Sequence, residues 1–164
     1  MIYDLKRQLG HDAHPVVQFI KYGFVGGLAT GISIVVFYAL SWTFLPCLTP
    51  DDIMVRLLGL TVEPITEAVR KWNAFFCSGI GFVISNVICY ILNRLFVFRP
   101  GRHHVVKEFL LFFGVSGLSW AIGVGIQTKL IAFWGVQTTL AFAANILVAL
   151  LINYAMRKYV IFKG

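Results

Sequence analysis

Asn93-Arg94-Leu95-Phe96-Val97-Phe98 closes a long apolar run with an arginine and then a compact aromatic and β-branched cluster. A degenerate copy, Arg157-Lys158-Tyr159-Val160-Ile161-Phe162, stands almost at the C-terminus. Working back from the first copy, Trp72 to Asn93 is 22 residues without a formal charge. At about 1.5 Å rise per residue such a run crosses the roughly 30 Å hydrocarbon layer of a bilayer. The two basic groups therefore sit at the same end of two apolar segments, and the chain between them reads as the scaffold that places them.

Composition agrees. Of 164 residues, 59% are hydrophobic and 13% charged, with a mean hydropathy of +0.81. Soluble domains carry roughly 25% charged residues, and a soluble fold of this size has no interior large enough for so much apolar side chain. The class is an integral membrane protein. A net charge of +7 raises nucleic acid as a partner. The cations are dispersed at the ends of apolar runs, however, which points to membrane lipids with anionic head groups and to no nucleic acid.

Four apolar segments are expected to be spans, at about 19–45, 74–98, 108–134 and 138–162, in one all-α membrane domain covering 1–164. Tyr22 to Leu45 and Phe109 to Thr128 are uncharged runs of 24 and 20 residues. Gly23 and Gly27 have the GxxxG spacing that lets helix backbones approach. They read as a packing seam or as room for a lipid chain. Residues 1–17 read as a surface helix, with Ile2, Leu5 and Leu9 at helical spacing, or as a loose tail. Between the first two spans, Pro64 to Trp72 reads as a short interfacial helix running into span two. Ile65, Val69 and Trp72 make its apolar face, Glu67 and Lys71 an i,i+4 ion pair, and Arg70 part of its polar side. Basic residues flank the inner ends: Lys6, Arg7 and Lys21; Arg94, Arg99, Arg102 and Lys107; Arg157, Lys158 and Lys163. The positive-inside rule then puts both termini in the cytoplasm.

The two halves repeat. Gln18 through Ala29 aligns with Glu108 through Ser119 without a gap, and the Asn93–Phe98 cluster aligns with Arg157–Ile161. Repeat one covers 18–98 and repeat two 107–162, both starting on the same side, as parallel two-helix repeats.

With these pieces in place, the chain resembles the GtrA-like membrane proteins. The resemblance rests on Phe19, the Phe24-Val25-Gly26-Gly27-Leu28-Ala29-Thr30 stretch, Asn86 and Tyr90 through Phe98, with Glu108-Phe109, Gly117 and the terminal cluster in the second half. It implies translocation of a polyprenyl-phosphate-linked sugar from the inner to the outer face of a bacterial cytoplasmic membrane, for surface polysaccharide or lipopolysaccharide modification. The alternatives are a non-transporting scaffold that recruits a glycosyltransferase, and a small-solute channel.

The residues suit such a substrate. Arg94, Lys21 and Arg157 are candidates for the phosphate, because a guanidinium fork donates to two phosphate oxygens and stays charged. Asn86, Asn93, Asn145 and Asn153 are candidates for polar contacts to hydroxyls. Glu108 is a candidate ion-pair partner for Arg94 or Arg157. Each has a plainer reading: inner arginines anchor orientation, and asparagines tie neighbouring helices. Met156 stands where Asn93 does in the first repeat, which makes Arg94 the stronger candidate of the two arginines. The histidines and the cysteines Cys47, Cys77 and Cys89 lack metal-ligand or disulfide spacing. There is no phosphate-binding GxxxxGK[ST] loop, no carboxylate within a span and no nucleophile–base constellation. The expectation is no enzyme, no cofactor and no metal. Four spans enclose little volume, so a homo-oligomer is expected.

Overall fold

The computed structural model describes residues 15–97 and 105–156, and every regular element among them is helical. Helix α1 is Pro15–Thr43, α2 is the short Ile53–Leu58, and α3 is Glu67–Leu92, extended by a π-helical turn at Asn93–Val97. Helix α4 is Val105–Trp134 and α5 is Thr138–Met156. Three stretches are long and apolar enough to cross a membrane, Ile20–Thr43, Glu67–Val97 and Val105–Trp134, while the apolar part of α5 within the described residues, Thr138–Ile152, is shorter. The surface helix expected near residues 2–9 lies outside the described residues.

Local chemistry sets the boundaries. Pro15 opens α1, where its missing N–H costs nothing. The helix stops at Thr43 rather than 45, because Leu45 precedes Pro46 and a pre-proline residue is pushed out of the α region. Asp52 caps α2 by accepting from Met54 N at 3.1 Å. Gly59, at φ 61°, ends α2 in the left-handed conformation that favours glycine, and Gly135, at φ 59°, turns the chain out of α4 in the same way.

The interfacial helix expected at Pro64–Trp72 is not formed as such. Residues 60–66 are non-helical, and Thr66 caps α3, its Oγ1 accepting from Val69 N, so α3 is continuous from Glu67. The separate short helix of the loop lies eleven residues earlier, at α2. The expected Glu67–Lys71 pair is also replaced. Glu67 instead takes two hydrogen bonds from Arg70, at 2.6 and 3.1 Å, and Lys71 Nζ lies 5.2 Å from the Trp72 ring. Arg70 is 98% buried and donates through Nη1 to Val136 O at 3.0 Å, so it is an inward residue. A buried cation requires a counter-charge far more than an exposed lysine does, and Glu67 follows that demand.

The long helices run antiparallel to their neighbours. Along α3, Gly81, Cys77 and Asn73 meet Ser33, Leu45 O and Pro46 O in turn, so α1 descends as α3 climbs. Phe75, Phe82 and Tyr90 meet Trp120, Phe113 and Phe109, which orders α4 against α3 in the same sense. Helices α4 and α5 form a second hairpin through the turn at 135–137. The two hairpins are stapled where Phe37 of α1 stacks on Phe142 of α5, ring centres 3.7 Å apart, inside a core shared with Cys77 and Ile131.

The glycines expected as a seam on α1 do not face another helix of the described chain. Gly23, Gly27 and Gly31 are exposed, with open space where a Cβ would stand. The close approaches use other glycines: Gly81 lies against Ser33, and Gly123 against Asn145. A methyl group at Gly123 would overlap the Asn145 amide and come within 2.9 Å of its carbonyl oxygen. Gly123→Ala is therefore expected to separate α4 from α5 and to cost on the order of 1–3 kcal/mol, the usual range for overpacking. Gly23→Ala is expected to change little. Thermal unfolding of the two purified variants in detergent checks the contrast.

Candidate functional site

Three groups of polar side chains interrupt the apolar bundle. The deepest joins three helices. Ser78 of α3 donates to Gln127 Oε1 at 2.8 Å, Asn145 of α5 donates to the same oxygen at 2.7 Å, and Gln127 Nε2 of α4 donates to Ala74 O at 3.3 Å. All three side chains are buried. Asn145, a candidate substrate contact by sequence, thus has its amide nitrogen bound to a neighbouring helix. Gln127 and Ser78 did not stand out in the sequence, although a glutamine inside the uncharged run Phe109–Thr128 was a readable signal.

The second group fastens the loop 44–66 to the start of α5. The fully buried Asp52 accepts from Thr139 N at 2.9 Å and from the Thr139 hydroxyl, and Tyr38 donates to that hydroxyl at 3.0 Å. Thr138 donates to Cys47 O, and Gln137 Nε2 to Asp51 O at 2.8 Å. A carboxylate at the N-terminus of α5 also meets the positive end of its dipole. Asp51 and Arg56 make an exposed ion pair at 2.9 Å, which contributes little. Beneath this lid, Cys47 is buried beside Cys77, and both are free thiols. The hydrogen bond with Cys77, followed by burial, pushes the Cys47 thiol far above its ordinary range.

The third group lies at the other end of α3 and holds the strongest sequence candidates. Asn93 and Arg94 open the π-helical turn, a form that recurs at functional positions. Arg94 is half-buried, and its Nη1 lies 3.2 Å from Tyr90 Oη, which accepts. Tyr90 in turn donates to Val105 O at 3.2 Å, at the start of α4. Its ring packs edge-on against Phe109. Tyr90 was missed as a partner, although it stands four residues before Arg94 and so on the same helix face. Asn93 donates to Cys89 O at 2.9 Å, while its Oδ1 has no partner; Asn86 Nδ2, two turns deeper, has none either. Both asparagines are more than 90% buried. One unpartnered acceptor and one unpartnered donor thus lie within the lower part of the same helix, each a cost of about 1–3 kcal/mol unless a ligand or water meets it.

The antiparallel pairing brings the Lys21 end of α1 to this end of α3, and α1 touches the π-helical turn. Lys21 is half-buried. Glu108 lies in the first turn of α4, and Asn153 in the last turn of α5. Arg157 lies outside the described residues. Among the described residues no cluster of histidine, cysteine, aspartate or glutamate could hold a metal ion.

The chain has relatives. A family model described as the GtrA/DPMS transmembrane domain matches residues 21–162. An uncharacterized membrane protein, YwcD of Bacillus subtilis, is 32% identical over 85 residues, 50% of this chain and 67% of its own length. A protein of Listeria monocytogenes named for cell wall teichoic acid glycosylation, GtcA, is 28% identical over 98 residues, 58% of this chain and 68% of its own. Its namesake in Listeria innocua is 26% identical over 110 residues, covering 65% and 76%. No solved structure matches the chain.

Two outcomes follow for the groups that hold the bundle together. Gln127→Leu strands the Ser78 hydroxyl and the Asn145 amide, and is expected to cost roughly 1–3 kcal/mol in thermal unfolding. Cys47, as the sole cysteine in a Cys77→Ser and Cys89→Ser background, is expected to resist maleimide at pH 8 until the protein is unfolded. In the unsubstituted protein, where Cys77 is present, the raised Cys47 thiol contributes stability in full below the unfolded thiol's pKa of about 8.5 and loses it as pH rises beyond. Rapid labelling of the folded protein would contradict the buried placement.

Proposed function

The chain belongs to the GtrA/DPMS transmembrane-domain family, and on that footing we propose that it moves a polyprenyl-phosphate-linked sugar from the cytoplasmic to the outer face of a bacterial cytoplasmic membrane. Relatives named for teichoic acid glycosylation support a role in supplying or handling lipid-linked sugar. The observation that carries the reading is the Arg94 end of α3. A guanidinium held on Tyr90 shares the lower part of α3 with an unpartnered buried acceptor on Asn93 and an unpartnered buried donor on Asn86, the latter about 12 Å along the axis from Arg94. Arg94 binds the phosphate, Lys21 and Arg157 add charge around it, and Asn86, Asn93 and Asn153 take sugar or phosphate oxygens. Asn145 holds the bundle together. Glu108 is an ion-pair partner for Arg94 or Arg157 in this reading.

In this reading the apolar segment of about 138–162 is the fourth span, both termini are cytoplasmic, and 18–98 and 107–162 are parallel two-helix repeats. The exposed glycine face of α1 supports a homo-oligomer, since small residues at a lipid-facing surface are those that let two helices approach. The protein acts without catalysis or cofactor, and flux follows consumption of the lipid on the outer face. A scaffold that recruits a glycosyltransferase is the second reading. What favours it is the buried hydrogen-bond junction around Gln127, which ties α3, α4 and α5 together near the middle of the bundle.

Reconstitution into proteoliposomes loaded with a polyprenyl-phosphate sugar separates the two. Wild type is expected to expose the sugar to an impermeant enzyme, Arg94→Ala to lower the rate at least tenfold with normal insertion, and Arg94→Lys to keep part of it, because lysine preserves charge without the fork. Normal translocation by Arg94→Ala would sink the assigned role. No movement by wild type, together with a co-purifying glycosyltransferase, would favour the scaffold.

A further inference from the structure

One surface of α3 carries a groove that the Arg94 site does not include. Phe75, Phe76, Gly79, Ile80, Val83 and Ile84 line an open-sided hollow of about 290 Å³ whose walls are wholly apolar. With no side chain at Gly79, the Trp120 indole packs behind it, 3.5 Å from where a Cβ would stand, and Trp120 is itself packed on Phe75 and Phe82.

Position along the helix connects the groove to the cation. Phe76, Ile80, Val83, Val87, Tyr90 and Arg94 recur at alternating spacings of four and three, so they form one stripe down α3. The Arg94–Tyr90 contact confirms that the stripe persists to its lower end. At about 1.5 Å per residue, Ile84 lies roughly 15 Å and Phe75 roughly 28 Å from Arg94 along the axis. A phospholipid anchored in the leaflet at Arg94 extends its acyl chains to the midplane, about 15 Å, and stops at the edge of the groove. An anionic lipid that reaches into it from that side has a tail longer than one leaflet.

We propose that this groove receives the distal part of the isoprenoid tail of a lipid whose phosphate lies at Arg94. The inference rests on the translocation reading and adds a second contact to it, far from the head group. The cation and the groove together measure the lipid, so selection acts on tail length as well as on the phosphate. In a bilayer the tail is surrounded by hydrocarbon wherever it lies, so the gain comes from packing against Phe75, Phe76 and the aliphatic walls rather than from leaving water.

Binding to purified protein in nanodiscs tests it, with undecaprenyl phosphate and geranyl phosphate as probes. The second is too short to reach Ile84. Wild type is expected to prefer the long probe several-fold. Val83→Trp and Ile80→Trp fill the groove from positions that face outward. They are expected to bring the ratio close to one while leaving geranyl phosphate binding and thermal stability unchanged. Arg94→Ala is expected to weaken both probes. Equal binding of the two probes by wild type, or an unchanged preference in both tryptophan variants, overturns the tail groove. Failure of wild type to bind either probe overturns the phosphate site at Arg94 instead. A photoreactive residue at Val83 that captures phospholipid in the presence of excess undecaprenyl phosphate also overturns the groove's assignment.

Discussion

A polar side chain surrounded by hydrocarbon has to find its partner inside the protein, and this constraint organises the bundle. Gln127 is where it acts most strongly. Its amide has no water to turn to, so one oxygen collects Ser78 from α3 and Asn145 from α5, while its nitrogen reaches the backbone of α3. Apolar contacts alone do not set the register of helices that lie in lipid, because lipid tails are as apolar as leucine. A three-way hydrogen-bond junction does set it. Once Gln127 is placed, Gly123 must stay small beneath Asn145, and the stack of Phe37 on Phe142 follows.

The lid applies the same rule at the boundary with water. Asp52 and Arg70 are the two buried charges among the described residues. Each is matched by groups supplied from the other half of the chain: Thr139 for Asp52, Val136 O for Arg70. The long loop of the first half is thereby a clamp on the second half. At the opposite end of α3 the rule is relaxed. Asn86 and Asn93 keep an unpartnered donor and an unpartnered acceptor close to a half-buried arginine. Trp120 Nε1 and Gln137 Oε1 are also buried without partners, so what sets the Arg94 end apart is that its two unmet groups share one helix end with a cation.

Much of this was legible in the chain. Hydropathy and run length marked the apolar segments: the helices Pro15–Thr43 and Val105–Trp134 begin and end within four residues of the expected 19–45 and 108–134, and Glu67–Val97 ends within one residue of the expected 74–98 but starts seven residues earlier. The start of α3 was misplaced, because an apolar face at Ile65, Val69 and Trp72 reads equally as a surface helix or as the first turns of a span. Thr66 decides between them by capping at that point. Glu67 and Lys71 have ideal spacing for a pair, yet spacing carries no information on burial, and Arg70 outcompetes Lys71 by being inside.

The sequence by itself determined that the chain lives in a membrane, which segments are apolar enough to enter it, and that most of its cations flank one set of segment ends. These are sums over residues, and they hold whatever the helices touch. Tertiary structure alone decided which polar groups are consumed and which are left over. Asn86, Asn93 and Asn145 are equivalent as letters in apolar runs. Only the approach of α4 and α5 gives Asn145 a partner in Gln127 and leaves the other two with unmet atoms, because a hydrogen bond depends on distances between helices that are remote in the chain. The opening stretch Asn93–Phe98 gained its meaning in the same way. Its arginine is held on Tyr90, on the stripe of α3 that leads to the groove at Gly79.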